Sequence, residues 1–201
     1  VMMTVAANLG GMITPFGSPQ NLYLHSFYDI PTLHFFGIML PPFLVSMVLI
    51  VALCWCVPRS PIADPGVDLA FASRRTLVYL ALFVLTLLIV FRVLPIWAGA
   101  VVPLALLAMD RRALVETDWG LLGTFAAFFV FAGNLARIPM VSSLLAQLMQ
   151  GDALLSSALA SQAISNVPAA ILLSHFTDDA AGLLTGVNIG GVGTLVASLA
   201  S

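Results

Sequence analysis

The residues in this chain whose types and spacing could do chemistry are neutral. Asn8, Gly10, Gly11, Thr14, Ser18 and Asn21 interrupt an apolar segment near one end, and Asn188, Gly190, Gly191, Thr194 and Ser198 interrupt another near the far end. A shift of 180 positions lays Asn8 on Asn188, Gly10 and Gly11 on Gly190 and Gly191, Thr14 on Thr194 and Ser18 on Ser198. Between them lies a third group, Ser165, Asn166 and Pro168, in the middle of the apolar stretch from Ala153 to Phe176. Asn, Gly and Pro weaken or break a helix, so each group marks a place where backbone carbonyls and amides are freed. Freed carbonyls and amide or hydroxyl oxygens suit a hard cation such as sodium, and half-helix N-termini with hydroxyl and amide donors suit an anion. Small residues also let apolar helices pack closely, which is the plain alternative for one such segment. Two segments with the same polar residues in the same order favour a paired binding site over packing alone.

The elements that must position these residues are set by composition. Hydrophobic residues make up 61% of the 201 and charged residues 8%, with a mean hydropathy of +1.08, too apolar for a water-solvated globule. The expected class is an all-α polytopic membrane protein, multi-pass in the cell membrane, with the lipid bilayer as its first partner. Net charge is −2 and lysine is absent, so no basic nucleic-acid face exists. Cys54 and Cys56 flank Trp55 and are read as packing residues, too few for a zinc site. The chain starts and stops within apolar runs and is read as an internal piece of a longer protein.

In chain order, residues 1–16 read as a broken span, with Pro15 and Pro19 extending the break to Asn21. Leu22 to Ile30, with His25 and Asp29, reads as interfacial. Ile30 to Val57 is long enough to span, with Pro41-Pro42 inside it. Residues 58–75 form a polar loop and the boundary between 1–57, the end of a first repeat, and 76–201, a second repeat. Thr76 to Phe91 and Ile96 to Met109 are apolar helices, turned at Arg92 and Pro95. Trp119 to Ala136 is a further span and Pro139 to Asp152 a connecting arm. Pro168 biases Val167 away from helix, so 153–176 is expected as a re-entrant hairpin with its tip at Ser165 to Pro168. Thr177-Asp178-Asp179 caps the last broken span, 180–201.

Five of the seven arginines, Arg59, Arg74, Arg75, Arg111 and Arg112, fall in two polar loops, and Arg92 and Arg137 at the opposite ends. The positive-inside rule then makes those loops cytoplasmic and points the two broken spans in opposite directions, as an inverted repeat requires. No Asp, Glu, Lys or Arg lies near a span centre, which leaves the neutral groups to do the binding. His175 with Asp178 and Asp179, and His25 and His34, are read as capping and interfacial residues. Gly182, Gly186 and Gly190 form a packing face.

The hairpin Ser161-Gln162-Ala163-Ile164-Ser165-Asn166-Val167-Pro168-Ala169, followed by Gly186-Val187-Asn188-Ile189-Gly190-Gly191, resembles the ion transporter superfamily, and within it the citrate-transporter-like permeases. Asn8 to Gly11 with Gly17-Ser18-Pro19-Gln20-Asn21 resembles the unwound span of that family's first repeat, and Leu122 to Asn134 the span before its second hairpin. The resemblance implies an inverted-repeat transporter with broken helices and a re-entrant hairpin. It implies a substrate site near the midplane where the two hairpin tips meet, with Ser165 and Asn166 supplying one tip. Val167-Pro168 stands where the family has a threonine. The other tip is expected about as far before Asn8 as Asn166 lies before Asn188.

The expected function is secondary active transport of a small anion, a di- or tricarboxylate or an inorganic oxyanion, coupled to sodium or protons by alternating access. No cofactor is expected beyond sodium as coupling ion at the residues already named. Two other readings remain in view. An intramembrane enzyme would need a nucleophile–base pair or a metal cluster at depth, and a non-transporting subunit would leave paired polar breaks without a purpose. The sequence leaves the oligomeric state open, a homodimer among the options. With Asp64→Cys, Arg111→Cys and Asp178→Cys each introduced singly, membrane-impermeant thiol reagents should reach the first two from the cytoplasm and the third from outside. Labelling of positions 64 and 178 from the same side would overturn the inverted arrangement.

Overall fold

The computed structural model describes residues 2–56 and 74–191. Among them the secondary structure is all helical: α1 (Met2–Gly11), α2 (Pro19–Phe27), α3 (Thr32–Trp55), α4 (Arg74–Val90), a 3-10 turn (Ile96–Ala100), α5 (Val101–Met109), α6 (Arg111–Val115), α7 (Trp119–Leu135), α8 (Pro139–Gly151), α9 (Ala153–Ile164), α10 (Asn166–Leu173) and α11 (Ala180–Gly190). The chain divides into two compact units, Val1–Cys54 with Trp119–Ser201, and Trp55–Asp118. The first unit therefore draws on both halves of the sequence.

In that first unit the core is built from both sequence ends. Leu9 and Met12 from the α1 end, Leu24 of α2, and Phe35 and Met39 of α3 pack with Ala169, Ala170 and Leu173 of α10 and Leu183, Leu184 and Val187 of α11. A smaller cluster joins Ala132 of α7 to Val167 and Ile171 of α10, with Tyr23 of α2 against it. Tyr23 also bonds the Ser174 hydroxyl at 2.8 Å, and the Tyr28 hydroxyl donates to the carbonyls of Ser174 and Thr177 at 3.1 and 2.8 Å. The end of α2 is thus pinned to the end of α10.

Helix α3 is long and apolar enough to cross a membrane by itself, the one such helix among the described residues. It buries Phe35 and Met39 and turns Leu44, Val48 and Trp55 outward. An exposed apolar face of that length is what lipid covers. Helices α7 and α8 reach spanning length only together, and they are bent by 99° at the intervening break.

Helices α9 and α11 pack most closely. A Cβ added at Gly186 would fall onto the Ser157 hydroxyl and the Leu154 carbonyl, and one at Gly190 would lie 2.5 Å from the Ala158 carbonyl. The glycine face expected from the sequence is therefore a contact face, and it lets α11 lie against the backbone of α9. Both helices start on aspartate caps: Asp152 Oδ1 accepts from Leu155 N and Asp179 Oδ1 from Gly182 N, each at 2.9 Å. Thr177 Oγ1 accepts from Asp179 N at 3.0 Å, so the Thr177–Asp179 cap is formed as expected.

In the second unit, Arg92 turns the chain after α4 with φ 61°, and the 3-10 turn packs Gly99 near Ile89. The Tyr79 hydroxyl donates to Asp110 Oδ2 at 2.5 Å, which holds the Asp110 carboxyl below its ordinary range. Asp110 Oδ1 also accepts from Ala113 N at 3.3 Å and so starts α6.

Two expectations about proline are corrected. Pro19 opens α2 rather than prolonging the break, and Pro168 lies in the first turn of α10 with Val167 helical before it. In a first turn the N–H that proline lacks has no intrahelical acceptor anyway, so nothing is lost. Leu22 to Ile30 is correspondingly helix α2 over most of its length. Its His25 is buried, edge-on to Phe35 with centroids 5.8 Å apart.

Gly186→Ala should destabilise the purified protein by about 1–3 kcal/mol through overpacking against α9. Gly123→Ala, where nothing lies within 4 Å of the added methyl, should be neutral or stabilising by up to about 1 kcal/mol on helix propensity. Thermal unfolding in detergent compares them; equal melting temperatures would refute the contact face.

Candidate functional site

The first break is short and closed on itself. Helix α1 ends at Gly11, and the chain turns through Thr14 N to Gly11 O at 3.4 Å and Gly17 N to Thr14 O at 3.2 Å. Gly11 and Gly17 meet backbone to backbone: a Cβ on Gly11 would sit 2.7 Å from the Gly17 carbonyl, so both positions need glycine for the approach itself. Asn21, fully buried, points its amide back into this loop. Its Nδ2 donates to the carbonyls of Met12 and Thr14 at 3.1 Å and of Gly11 at 3.4 Å. Three carbonyls around the helix break thus share one side-chain donor, two of them in addition to a turn amide.

The second break is reached from there directly. Asn188 Nδ2 donates to Asn21 Oδ1 at 2.7 Å and to the Leu184 carbonyl at 2.8 Å, and Gln20 Nε2 donates to Asn188 Oδ1 at 3.4 Å. Gln20 was not among the residues expected from sequence. Both polar atoms of the Asn188 amide therefore have protein partners, which makes it a bridge between α11 and the first break.

At the third group, Ser165 stands alone between α9 and α10 with φ 73° and ψ 156°. Only glycine adopts that region readily, and a serine held there stores about 1–3 kcal/mol. Ser165 is buried, and its hydroxyl bonds Asn166 Oδ1 at 3.3 Å. Asn166 Oδ1 also accepts from Val167 N at 2.9 Å. Asn166 lies beside the second break, since a Cβ on Gly191 would lie 3.0 Å from its Nδ2. Gln162 Nε2 donates to the Gly190 carbonyl, tying α9 to the end of α11.

Of the expected site residues, Gly11, Thr14, Asn21 and Asn188 share one hydrogen-bonded cluster, and Ser165, Asn166, Pro168, Gly190 and Gly191 gather around the junction of α9, α10 and α11. Gly10 is exposed, and a Cβ added there would meet no other part of the chain within 4 Å. Asn8 Nδ2 and Ser18 Oγ are buried polar atoms with no hydrogen-bond partner, as is Gln20 Oε1. Thr194 and Ser198 lie outside the described residues. The group as a whole offers neutral donors, neutral acceptors and strained backbone, a set suited to holding a small solute reversibly.

A family profile described as citrate transporter matches residues 1–199. The uncharacterized transporter MJ0456 of Methanocaldococcus jannaschii is 36% identical over 197 residues, 98% of this chain and 54% of that protein. The inner membrane protein YbiR of Escherichia coli K12 is 28% identical over 213 residues, covering all of this chain and 56% of its own. The chain thus spans about half the length of these curated relatives. No solved structure matches.

The bridge can be tested without knowing any cargo. Asn21→Ala and Asn188→Ala should each destabilise by about 1–3 kcal/mol for every buried polar group left unpaired. The double variant should fall short of the sum by about 0.5–3 kcal/mol, because the two residues share one bond. Denaturation of the three variants checks this, and strict additivity would mean the bridge contributes nothing.

Proposed function

The chain belongs to the citrate transporter family, and from that premise we propose that the whole protein is a secondary active transporter. It carries a small anion, a di- or tricarboxylate or an inorganic oxyanion, across the cell membrane with sodium or protons, by alternating access. In this reading residues 1–57 and 76–201 belong to two repeats of opposite orientation, and 153–176 is a re-entrant hairpin with its tip at Ser165. The observation that supports it is the 2.7 Å bond between Asn188 and Asn21, which joins two broken segments from opposite ends of the sequence. Helix breaks are tolerated at membrane depth where protein or a wet cavity satisfies the freed groups. In this reading Asn21 and Asn188 satisfy them and build the walls, and Ser18, Ser165 and Asn166 are the residues that meet the solute. Ser165 supports that division of labour, because backbone strain of this kind collects where ligands are held.

Uptake by the full-length protein in proteoliposomes, driven in turn by a sodium gradient and a pH gradient, tests the proposal. Anion accumulation should follow at least one gradient. Asn166→Ala should raise the apparent half-saturation constant about ten- to a hundredfold while leaving the protein folded, as expected for one lost polar contact to solute. Failure of citrate, malate, succinate, phosphate and sulfate all to accumulate under both gradients would overturn the transport reading.

A further inference from the structure

The three amides at the breaks are not free to flip, and their order fixes where the last one points its oxygen. Asn21 faces three carbonyls, so its nitrogen must lie there and its oxygen must face Asn188. Asn188 meets that oxygen and the Leu184 carbonyl, so its nitrogen lies on that side and its oxygen faces Gln20. Gln20 must then present its nitrogen to Asn188, and its Oε1 is left over. That oxygen belongs to a side chain only 3% exposed, is itself buried, and has no partner. An amide oxygen only accepts, so either a hydrogen-bond donor or a cation completes it. Leaving it unmet in a dry site costs about 1–3 kcal/mol.

Gln20 stands in the first turn of α2, one residue after Pro19, with Ser18 at the N-cap making no side-chain cap bond. The N-terminus of a nine-residue helix carries partial positive charge and favours an anion. The two demands differ in sign. A bare cation would satisfy the Gln20 oxygen but oppose the helix end, whereas a bare oxyanion would do the reverse. An anion that also carries an O–H satisfies both.

We propose that Gln20 is a specificity-determining residue of the transport site, whose Oε1 accepts from an O–H on the anion, so that the protein selects anions bearing a hydroxyl or an acid proton over isosteric anions that have neither. The inference rests on the anion-transport reading above. It differs from it in requiring a donor on the cargo.

Two matched pairs test the donor and separate its sources: malate against succinate, which differ by a carbon-bound hydroxyl, and phosphate against sulfate, where phosphate alone keeps an acidic proton near neutral pH. Uptake of each by the full-length protein in proteoliposomes should favour the donor-bearing member of at least one pair by about tenfold or more. The pair that responds identifies the source. Gln20→Met keeps the side-chain length and removes the acceptor, and should bring that ratio to within about twofold of unity. Uptake of several anions by the unaltered protein with no preference in either pair overturns this inference and leaves the transport reading standing, whether or not the variant folds. A Gln20→Met protein that keeps the ratio but shifts its sodium dependence also overturns it, since the oxygen would then serve the coupling ion. Absence of uptake for citrate as well as for all four of these anions removes both readings together.

Discussion

A helix that stops inside an apolar chain leaves carbonyl oxygens with nothing to accept, and in lipid each such group costs several kcal/mol. The arrangement of the first unit follows from how that debt is met at Gly11, Met12 and Thr14. The turn amides of Thr14 and Gly17 donate to the Gly11 and Thr14 carbonyls. One buried amide, Asn21, reaches the Met12 carbonyl and reinforces the other two, and its remaining oxygen then needs a donor, which Asn188 supplies. Met12 and Leu24 are driven into the same core as Leu184 and Val187, so apolar packing encloses the polar bridge. Removing water from the bridge strengthens each bond in it and makes every member harder to replace.

Around that bridge the helices differ in how tightly they are held. Helices α9 and α11 meet through glycine and small side chains, with Gln162 reaching the Gly190 carbonyl. Helices α2 and α10 meet through tyrosine hydroxyls on Ser174 and Thr177, polar clasps at the ends of the elements. Helix α3 keeps contact mainly through Phe35 and Met39 and turns most of its length outward. A bond-rich centre and an apolar margin are what a protein solvated by lipid needs, since lipid offers no partners for stray polar groups.

Much of this was legible in the sequence, for a reason that differs by element. The helices at Thr32–Trp55, Arg74–Val90 and Trp119–Leu135 announced themselves by unbroken apolar length. The break at Ser165 was read from the cluster of Ser, Asn and Pro, although Pro168 acts as a helix starter rather than as the breaker. Pro19 likewise starts a helix, because the effect of proline depends on its distance from a helix start, which composition does not state. The burial of His25 against Phe35 of α3 is a tertiary contact that residue type does not announce. Gln20 escaped for a different cause. Matching the two ends of the chain pairs it with Ala200, so a search for shared polar residues passes over it. A group that only one segment carries is visible only once the fold shows what stands opposite.

Ser165 has a bearing on how the protein would respond to laboratory evolution. Its backbone lies where glycine rests without strain, so a screen that rewarded heat resistance alone would be drawn to a one-residue change at the junction of α9 and α10. That change would keep the junction's shape and delete its hydroxyl. Under the proposed transport function the serine is thus a point where robustness and solute handling pull in opposite directions, and variants recovered under the two pressures should part company there first.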